Sequence, residues 1–138
     1  MVTTQPKIMV GQKIDVITVA SITIIAYLFA QIIHEGLGHG GMALFVGAKI
    51  IQVTNTNLQY DPNGISQSAS KVIAFGGTLA NVVVGILALS FLRITSIKSA
   101  NMRFFLWLFG IINLFKAFGY LLITFAPIGD WHDIAEGL

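Results

Sequence analysis

An uncharged apolar run of eighteen residues, positions 16–33, is the feature that most restricts how this chain can fold. A helix needs about 20 mostly apolar residues to cross the hydrocarbon core of a bilayer. Only 10% of the 138 residues are charged, whereas a soluble domain carries about 25%. We therefore expect a multi-pass integral membrane protein, in the cell membrane, with the lipid bilayer as its surroundings. The net charge of +2 and the lack of a basic cluster argue against nucleic acid as a partner.

Three apolar segments are predicted to form transmembrane helices, over about residues 14–45, 71–92 and 102–126. Between the first two, residues 48–70 contain alternating β-branched residues and then the turn signal Asp61-Pro62-Asn63-Gly64. The predicted fold is an all-α integral membrane protein with three transmembrane helices. It has a short β-hairpin or extended segment after the first helix and a short C-terminal helix. Residues 1–138 are treated as a single membrane-embedded domain.

The sequence His34-Glu35-Gly36-Leu37-Gly38-His39 follows the first apolar run directly. Ionisable side chains in a membrane segment are costly and mark a functional site by default. Neutral imidazole is a common zinc ligand, and a carboxylate beside it can act as a general base. These residue types therefore indicate a metal centre. The plainer alternative is a pair of interfacial histidines with an unrelated glutamate.

The spacing of these histidines differs from that of the usual helical zinc motif. H-E-x-x-H places them at i and i+4, whereas His34 and His39 are at i and i+5. On an ideal α-helix they would be about 140° apart. A π-bulge would bring them together. We expect the glycines of this segment to help, because glycine adopts backbone angles that other residues avoid.

Other polar residues in the apolar segments are further candidates for the site. Asn81 follows Gly76 and Gly77 on the second span, where a packing role and a functional role are equally consistent with the sequence. Lys116, near the middle of the third span, is consistent with either a structural ion pair or a catalytic role. The remaining ligand candidates lie at the C-terminal end of the chain. These third-span and C-terminal candidates are Asn113 and Lys116, then Asp130 and His132.

The order of these motifs resembles that of the site-2 protease family of intramembrane zinc metalloproteases. His34, Glu35 and His39 match the helical His-Glu…His motif, and the segment from Gly76 to Asn81 matches the glycine-glycine…asparagine signature. Pro127 and Gly129-Asp130 match the distal aspartate motif. The chain looks like a divergent, minimal member, with one residue more between its histidines than is usual.

The resemblance implies an endopeptidase that hydrolyses a peptide bond in or near a transmembrane helix of a substrate protein. It implies that His34, His39 and Asp130 hold Zn²⁺ and that Glu35 is the catalytic base. Asn81 would contact the substrate backbone. The supporting residues would be Gly76, Gly77, Asn113, Lys116 and His132.

Two other readings stay open at this point. Glu35 and His39 are at i and i+4, so they could bind a metal together with Asp130 or His132 without any bulge. This arrangement would suit a metal-binding membrane enzyme or transporter of another class. The chain could also be a proteolytically inactive relative that binds membrane partners as a scaffold.

Overall fold

The computed structural model describes residues 15–122, with side chains described up to residue 119. Its first helical span is built from three consecutive pieces: α1 (Val16–Ile32), a π-helix (Ile33–Gly40) and α2 (Gly41–Phe45). A two-stranded hairpin follows, with β1 at Ile50–Val53 and β2 at Leu58–Tyr60. Two long helices follow the hairpin, α3 (Gln67–Ile94) and α4 (Ala100–Leu122).

Three of these helical segments are long and apolar enough to cross a membrane. The predicted spans are therefore confirmed as helices, with shifts of a few residues at their ends. α3 begins four residues before the predicted start, because the Ser66 hydroxyl caps the helix by accepting from the backbone N–H of Ala69 at 3.2 Å. Ser99 caps α4 in the same way, accepting from Met102 N–H at 3.3 Å. The end of the predicted third span and the predicted short C-terminal helix lie outside the described residues.

The distribution of side chains is the reverse of that in a soluble protein. Among residues 15–119, six of the seven buried hydrophobic residues are alanines, and the largest fully buried side chains are those of His34, Asn81 and Asn113. Large apolar side chains point outward along all three long helices, as at Ile17, which is 78% exposed, and Phe115, which is 73% exposed. Helices that face lipid can expose large apolar residues and pack through small ones. The polar interior is thus enclosed by a surface suited to lipid.

The segment between the first two spans forms the predicted hairpin. Its antiparallel strands pair Ile50 with Tyr60 and Val53 with Leu58, with an irregularity after Ile50. The loop is closed by Thr54, whose N–H donates to the carbonyl of Asn57 at 2.9 Å. The predicted Asp-Pro-Asn-Gly turn comes after β2 and leads the chain into α3.

The hairpin covers one side of the π-helix, which carries His34 and His39. Partly buried hydrophobic residues of this segment pack on Ala43, Ala48 and Ile73, which form a small apolar cluster. Both strands also contact the π-helix. α3 packs against the π-helix on one side and against α4 on another side. As a result, the π-helix is enclosed by the hairpin and α3. The packed hydrophobic residues are Val46, Ile50, Leu58, Tyr60 and Ile65.

Candidate metal centre

The π-helix brings the two histidines of the first span together. Residues five apart stack on one face of a π-helix, because its backbone hydrogen bonds join i to i+5. His34 and His39 both lie within its eight residues, and both are buried. Their Nε2 atoms are 3.2 Å apart, and their rings meet edge to face with centroids at 4.7 Å. The local widening predicted from the i, i+5 spacing is therefore present.

The glycines of this segment act differently from the sequence-based expectation. The flanking backbone is ordinary right-handed helix, with φ of −62° at Gly40. Among the described residues, only Gly47 and Gly64 have positive φ. The expectation that the segment uses angles reserved for glycine is therefore wrong. At Gly38 the physical reason for glycine is space, since this residue lies where the backbones of the π-helix and α3 meet.

Gly38 and Gly76 allow the π-helix and α3 to touch through their main chains. A Cβ on Gly38 would come within 2.6 Å of Gly77 Cα and 2.8 Å of Gly76 O. A Cβ on Gly76 would come within 2.5 Å of Gly38 O. Small residues permit such close helix approach in membranes. The paired glycines of α3 thus hold this helix directly against the histidine-bearing segment.

Gly77 makes room for both imidazoles. A Cβ at this position would be 2.5 Å from His39 Nε2 and 2.6 Å from His34 Cε1. Any larger residue would therefore occupy the space of the two rings. This contact places the glycine pair at the centre of the site.

Hydrogen-bonding groups of α3 orient both rings by contacting the Nδ1 atom of each ring. The Nδ1–H of His39 donates to the carbonyl of Ile73 at 2.8 Å, and Asn81 Nδ2 lies 3.2 Å from His34 Nδ1. Histidines that bind metals usually make such a hydrogen bond through the ring nitrogen that faces away from the ion. In both cases the Nε2 atom is the one directed toward the neighbouring histidine.

Glu35 belongs to the same cluster. Its side chain is 8% exposed. One carboxylate oxygen of Glu35 and one nitrogen each from His34 and His39 lie within 4.8 Å of one another. The three residues form a buried group that could hold a metal ion.

The donor set and its geometry fit a metal such as zinc. Two imidazole nitrogens bound to one tetrahedral zinc at about 2.0–2.1 Å are roughly 3.3 Å apart. The observed Nε2 separation is 3.2 Å. The absence of cysteine leaves nitrogen and oxygen donors, which zinc accepts readily. Little rearrangement of the two rings would be needed for both to reach one ion.

The two candidates on α4, Asn113 and Lys116, are three positions apart in the sequence. Asn113 is fully buried, and its Nδ2 donates to the carbonyl of Phe109 in the same helix at 2.8 Å. Lys116 is half-buried. Asp130 and His132, the predicted third ligand and its alternative, lie outside the described residues.

The sequence did not predict that the carbonyl of Ile73 accepts a hydrogen bond from His39. A backbone group carries no residue-type signal, so only the packing of α3 identifies it. The crossing of Gly38 with the glycine pair was also missed. Its signal was the presence of small residues on both segments: those of the second span indicated close helix packing, whereas those beside the histidines were taken only as a source of backbone pliability.

Comparison of the chain with family models, with curated proteins and with solved structures finds no match. The geometry of the site itself is therefore the basis for assigning a function.

Proposed function

We propose that this protein is an intramembrane zinc-dependent endopeptidase of the site-2 protease type. The observation that carries the proposal is the convergence of two imidazole nitrogens, 3.2 Å apart, beside a buried carboxylate within an apolar helical bundle. A bilayer-embedded cluster of this kind is expensive unless it serves chemistry. The proposed location is the cell membrane.

In this proposal His34 and His39 hold Zn²⁺ through Nε2, and Asp130 supplies the third ligand. Zinc, when bound, supplies a Lewis acid that lowers the pKa of water and stabilises negative charge on a carbonyl oxygen. Ile73 and Asn81 hold the two rings through the Nδ1 atoms of His39 and His34, respectively. The side chains of His34, His39 and Asp130 would be the protein ligands, and the metal would supply Lewis-acid chemistry toward water and the substrate carbonyl.

Glu35 acts as the general base and acid. It takes a proton from the attacking water and delivers that proton to the leaving amine nitrogen. A general base must lie within hydrogen-bond reach of the proton that it removes, directly or through one water. The carboxylate lies in the same 4.8 Å group as the histidine nitrogens, which suits this role.

The substrate is a transmembrane helix of another membrane protein, locally unwound so that its backbone reaches the cluster. Hydrolysis also requires water in the interior. Acceptor oxygens of Gln31, Thr78 and Asn113 are buried and receive no hydrogen bond from residues 15–119. Buried acceptors of this kind can bind water. These buried oxygens favour an interior that contains water over one that is filled by protein atoms alone.

A second candidate function follows from the same cluster. Because the Glu35 carboxylate is close to both histidines, it could itself be a ligand rather than a base. The protein would then be a metal-binding membrane enzyme or transporter of another class. An inactive scaffold, by contrast, would need no metal.

Replacing Glu35 by Gln separates these functions. The full chain is purified in detergent, its zinc content is measured, and cleavage of co-reconstituted single-span helical peptides is followed by mass spectrometry. The protease proposal expects wild-type zinc content with cleavage lost in Glu35→Gln. Loss of zinc in the same variant would support Glu35 as a ligand.

Two further variants serve as controls. His39→Ala is expected to lose both zinc and cleavage. Glu136→Gln alters the only other glutamate of the chain and should change neither. Wild-type protein without zinc would overturn the proposal in favour of the scaffold.

A further inference from the structure

We propose that the segment linking α3 to α4, residues 93–103, is a docking surface for anionic phospholipids. This segment is called the connector surface below. Its basic residues are Arg93 in the last turn of α3, Lys98 in the loop and Arg103 in the first turn of α4. The proposal goes beyond the proposed function, and it depends neither on metal binding nor on proteolysis.

The connector surface carries positive charge that its own segments do not neutralise. All three basic side chains are exposed. The sequence has no acidic residue between Asp61 and Asp130, so neither α3, the loop nor α4 contains one. Two other acidic residues of the described chain are engaged elsewhere: Asp15 accepts from Thr18 at the start of α1, and Glu35 belongs to the buried histidine cluster. Within residues 15–119, the three cations are therefore available to an anionic partner.

Packing between α3 and α4 brings these cations to one end of the bundle. Only residues 95–99 separate the two helices. Their backbones approach closely, since a Cβ on Gly85 would be 3.1 Å from Gly110 O. The start of α4 is fixed to the loop, because the N–H of Arg103 donates to the carbonyl of Ser99 at 3.1 Å. The last turn of α3 and the first turn of α4 therefore lie side by side.

Apolar side chains adjoin the cations and indicate which kind of anion fits. Ile94, next to Arg93, is 81% exposed, and Met102, next to Arg103, is 49% exposed. A free phosphate would pair with the cations but leave these apolar groups uncovered. Basic residues near a bilayer surface attract anionic lipids, and their apolar stems can lie along acyl chains while the charged ends reach the headgroups. A phospholipid is therefore the occupant that complements both parts of the surface.

The connector surface is separate from the metal cluster. The two histidines contact α3 at Ile73 and Gly77. Gly77 precedes Arg93 by about 24 Å along the helix axis, at about 1.5 Å per residue. Substitutions at the connector surface therefore leave the contacts of both imidazoles in place, so lipid binding and metal binding can be tested independently.

Trp107 provides a probe within the chain. It lies one turn after Arg103 on α4 and is partly exposed. The chain has two tryptophans, so a full-length Trp131→Phe protein reports on Trp107 alone. This protein is reconstituted in phosphatidylcholine bilayers that contain a fixed fraction of brominated phosphatidylglycerol or, separately, of brominated phosphatidylcholine. Bromine quenches tryptophan fluorescence on contact, so the two quenching curves give the relative affinity of the surface for the anionic lipid.

We expect the anionic lipid to bind more tightly than the neutral one, by roughly fivefold or more. A basic residue near an anionic membrane surface contributes roughly fivefold in affinity. The preference should decrease as the salt concentration is raised, because exposed charges are screened. The combined variant Arg93→Gln, Lys98→Gln, Arg103→Gln should be quenched equally by both lipids.

Two control variants accompany this experiment. Arg93→Lys with Arg103→Lys keeps the charge and should keep the preference. Lys49→Gln with Lys71→Gln removes two cations near the hairpin and before the glycine pair of α3, and should also keep it. The helical content of every variant is checked by circular dichroism. If the neutralised variant does not fold, the lipid comparison and the salt dependence of the wild-type connector still decide the question.

Each outcome supports or overturns the proposal. Equal quenching by the two lipids in the wild-type connector would overturn it, and so would a preference that survives neutralisation of all three cations. Inorganic phosphate, compared with sodium chloride at the same ionic strength, should not reduce the preference. If it does, the surface is a site for a free anion and the lipid proposal fails. None of these results involves zinc, so failure here leaves the proposed function standing, and a protein without zinc leaves lipid binding standing.

Discussion

Gly77 of α3 lies against the ring of His39, so closely that a Cβ at position 77 would be 2.5 Å from His39 Nε2. The same Cβ would be 2.6 Å from His34 Cε1. One glycine on the second span therefore sets the space available to two imidazoles on the first span.

Gly77→Ala is expected to weaken metal binding. The added methyl group cannot be accommodated unless the imidazoles move away from it. Overpacking of a close-packed interior costs about 1–3 kcal/mol, which corresponds to roughly 5- to 150-fold in affinity. Zinc affinity by chelator competition measures the effect.

The matched control for this prediction is Gly36→Ala. A Cβ on Gly36 meets no atom within 4 Å, so its zinc affinity should equal that of the wild type. Equal affinities for the two variants would show that position 77 does not limit the site.

Gly38→Ala is expected to destabilise the packing of the first two spans. Its Cβ would meet the backbone of Gly77 at 2.6 Å and of Gly76 at 2.8 Å. Backbone atoms cannot move aside as a flexible side chain can, so the two helices must separate. The expected cost is about 1–3 kcal/mol, seen as a lower midpoint of thermal unfolding in detergent. A Gly41→Ala variant, whose Cβ meets nothing within 4 Å, should keep or raise the midpoint, because alanine at a helical position without a clash restricts the unfolded chain.

Asp130→Asn is expected to lower zinc content if this aspartate is the third ligand. The neutral amide is a much weaker zinc ligand than a carboxylate, which zinc commonly binds. The measurement is metal analysis of the purified protein. Asp133→Asn is the control, because Asp133 is an aspartate three positions along the chain with no proposed ligand role. A loss of zinc in the control variant alone would contradict the ligand assignment.

The start of α1 is expected to depend on pH through Asp15. The hydroxyl of Thr18 donates to the Asp15 carboxylate, whose pKa is thereby lowered from 3.8, with smaller contributions from the backbone N–H groups of Thr18 and Ile17. A carboxylate with a lowered folded-state pKa stabilises the cap above the unfolded pKa. That contribution is lost as the pH falls through the folded value, below 3.8.

Amide hydrogen exchange at Ile17 measures this effect, because its N–H donates to Asp15 Oδ1 at 3.2 Å. Protection should fall in the wild type as the pH drops below 3.8. Asp15→Asn keeps a good capping residue without a titrating group. The variant should show no such fall in protection, and a pH dependence equal to that of the wild type would contradict the assignment.

Much of the architecture follows from local sequence patterns. Runs of apolar residues longer than a bilayer requires determine three helices, because backbone groups in an apolar medium must pair within the segment. The alternating residues and the turn signal before α3 predicted the hairpin. The extra residue between His34 and His39 predicted the π-helix, since only a wider turn places i and i+5 on one face.

Other predictions remain untested. The assignments of Asp130 and His132 fall outside the described residues, and protease activity, zinc as the metal and a transmembrane-helix substrate are proposals. For Glu35, the geometry is compatible with both a base and a ligand, because its carboxylate is close to both histidines.

The sequence by itself determined that the chain forms apolar helices and that two imidazoles and a carboxylate lie on one of them. Only the tertiary structure decided how the rings are held. The carbonyl of Ile73 and the amide of Asn81 reach them from another helix, and Gly38 and Gly76 let that helix come close enough. These are contacts between segments distant in sequence, and one of them uses a main-chain group. Residue types and local spacing therefore do not predict which group of α3 contacts each ring.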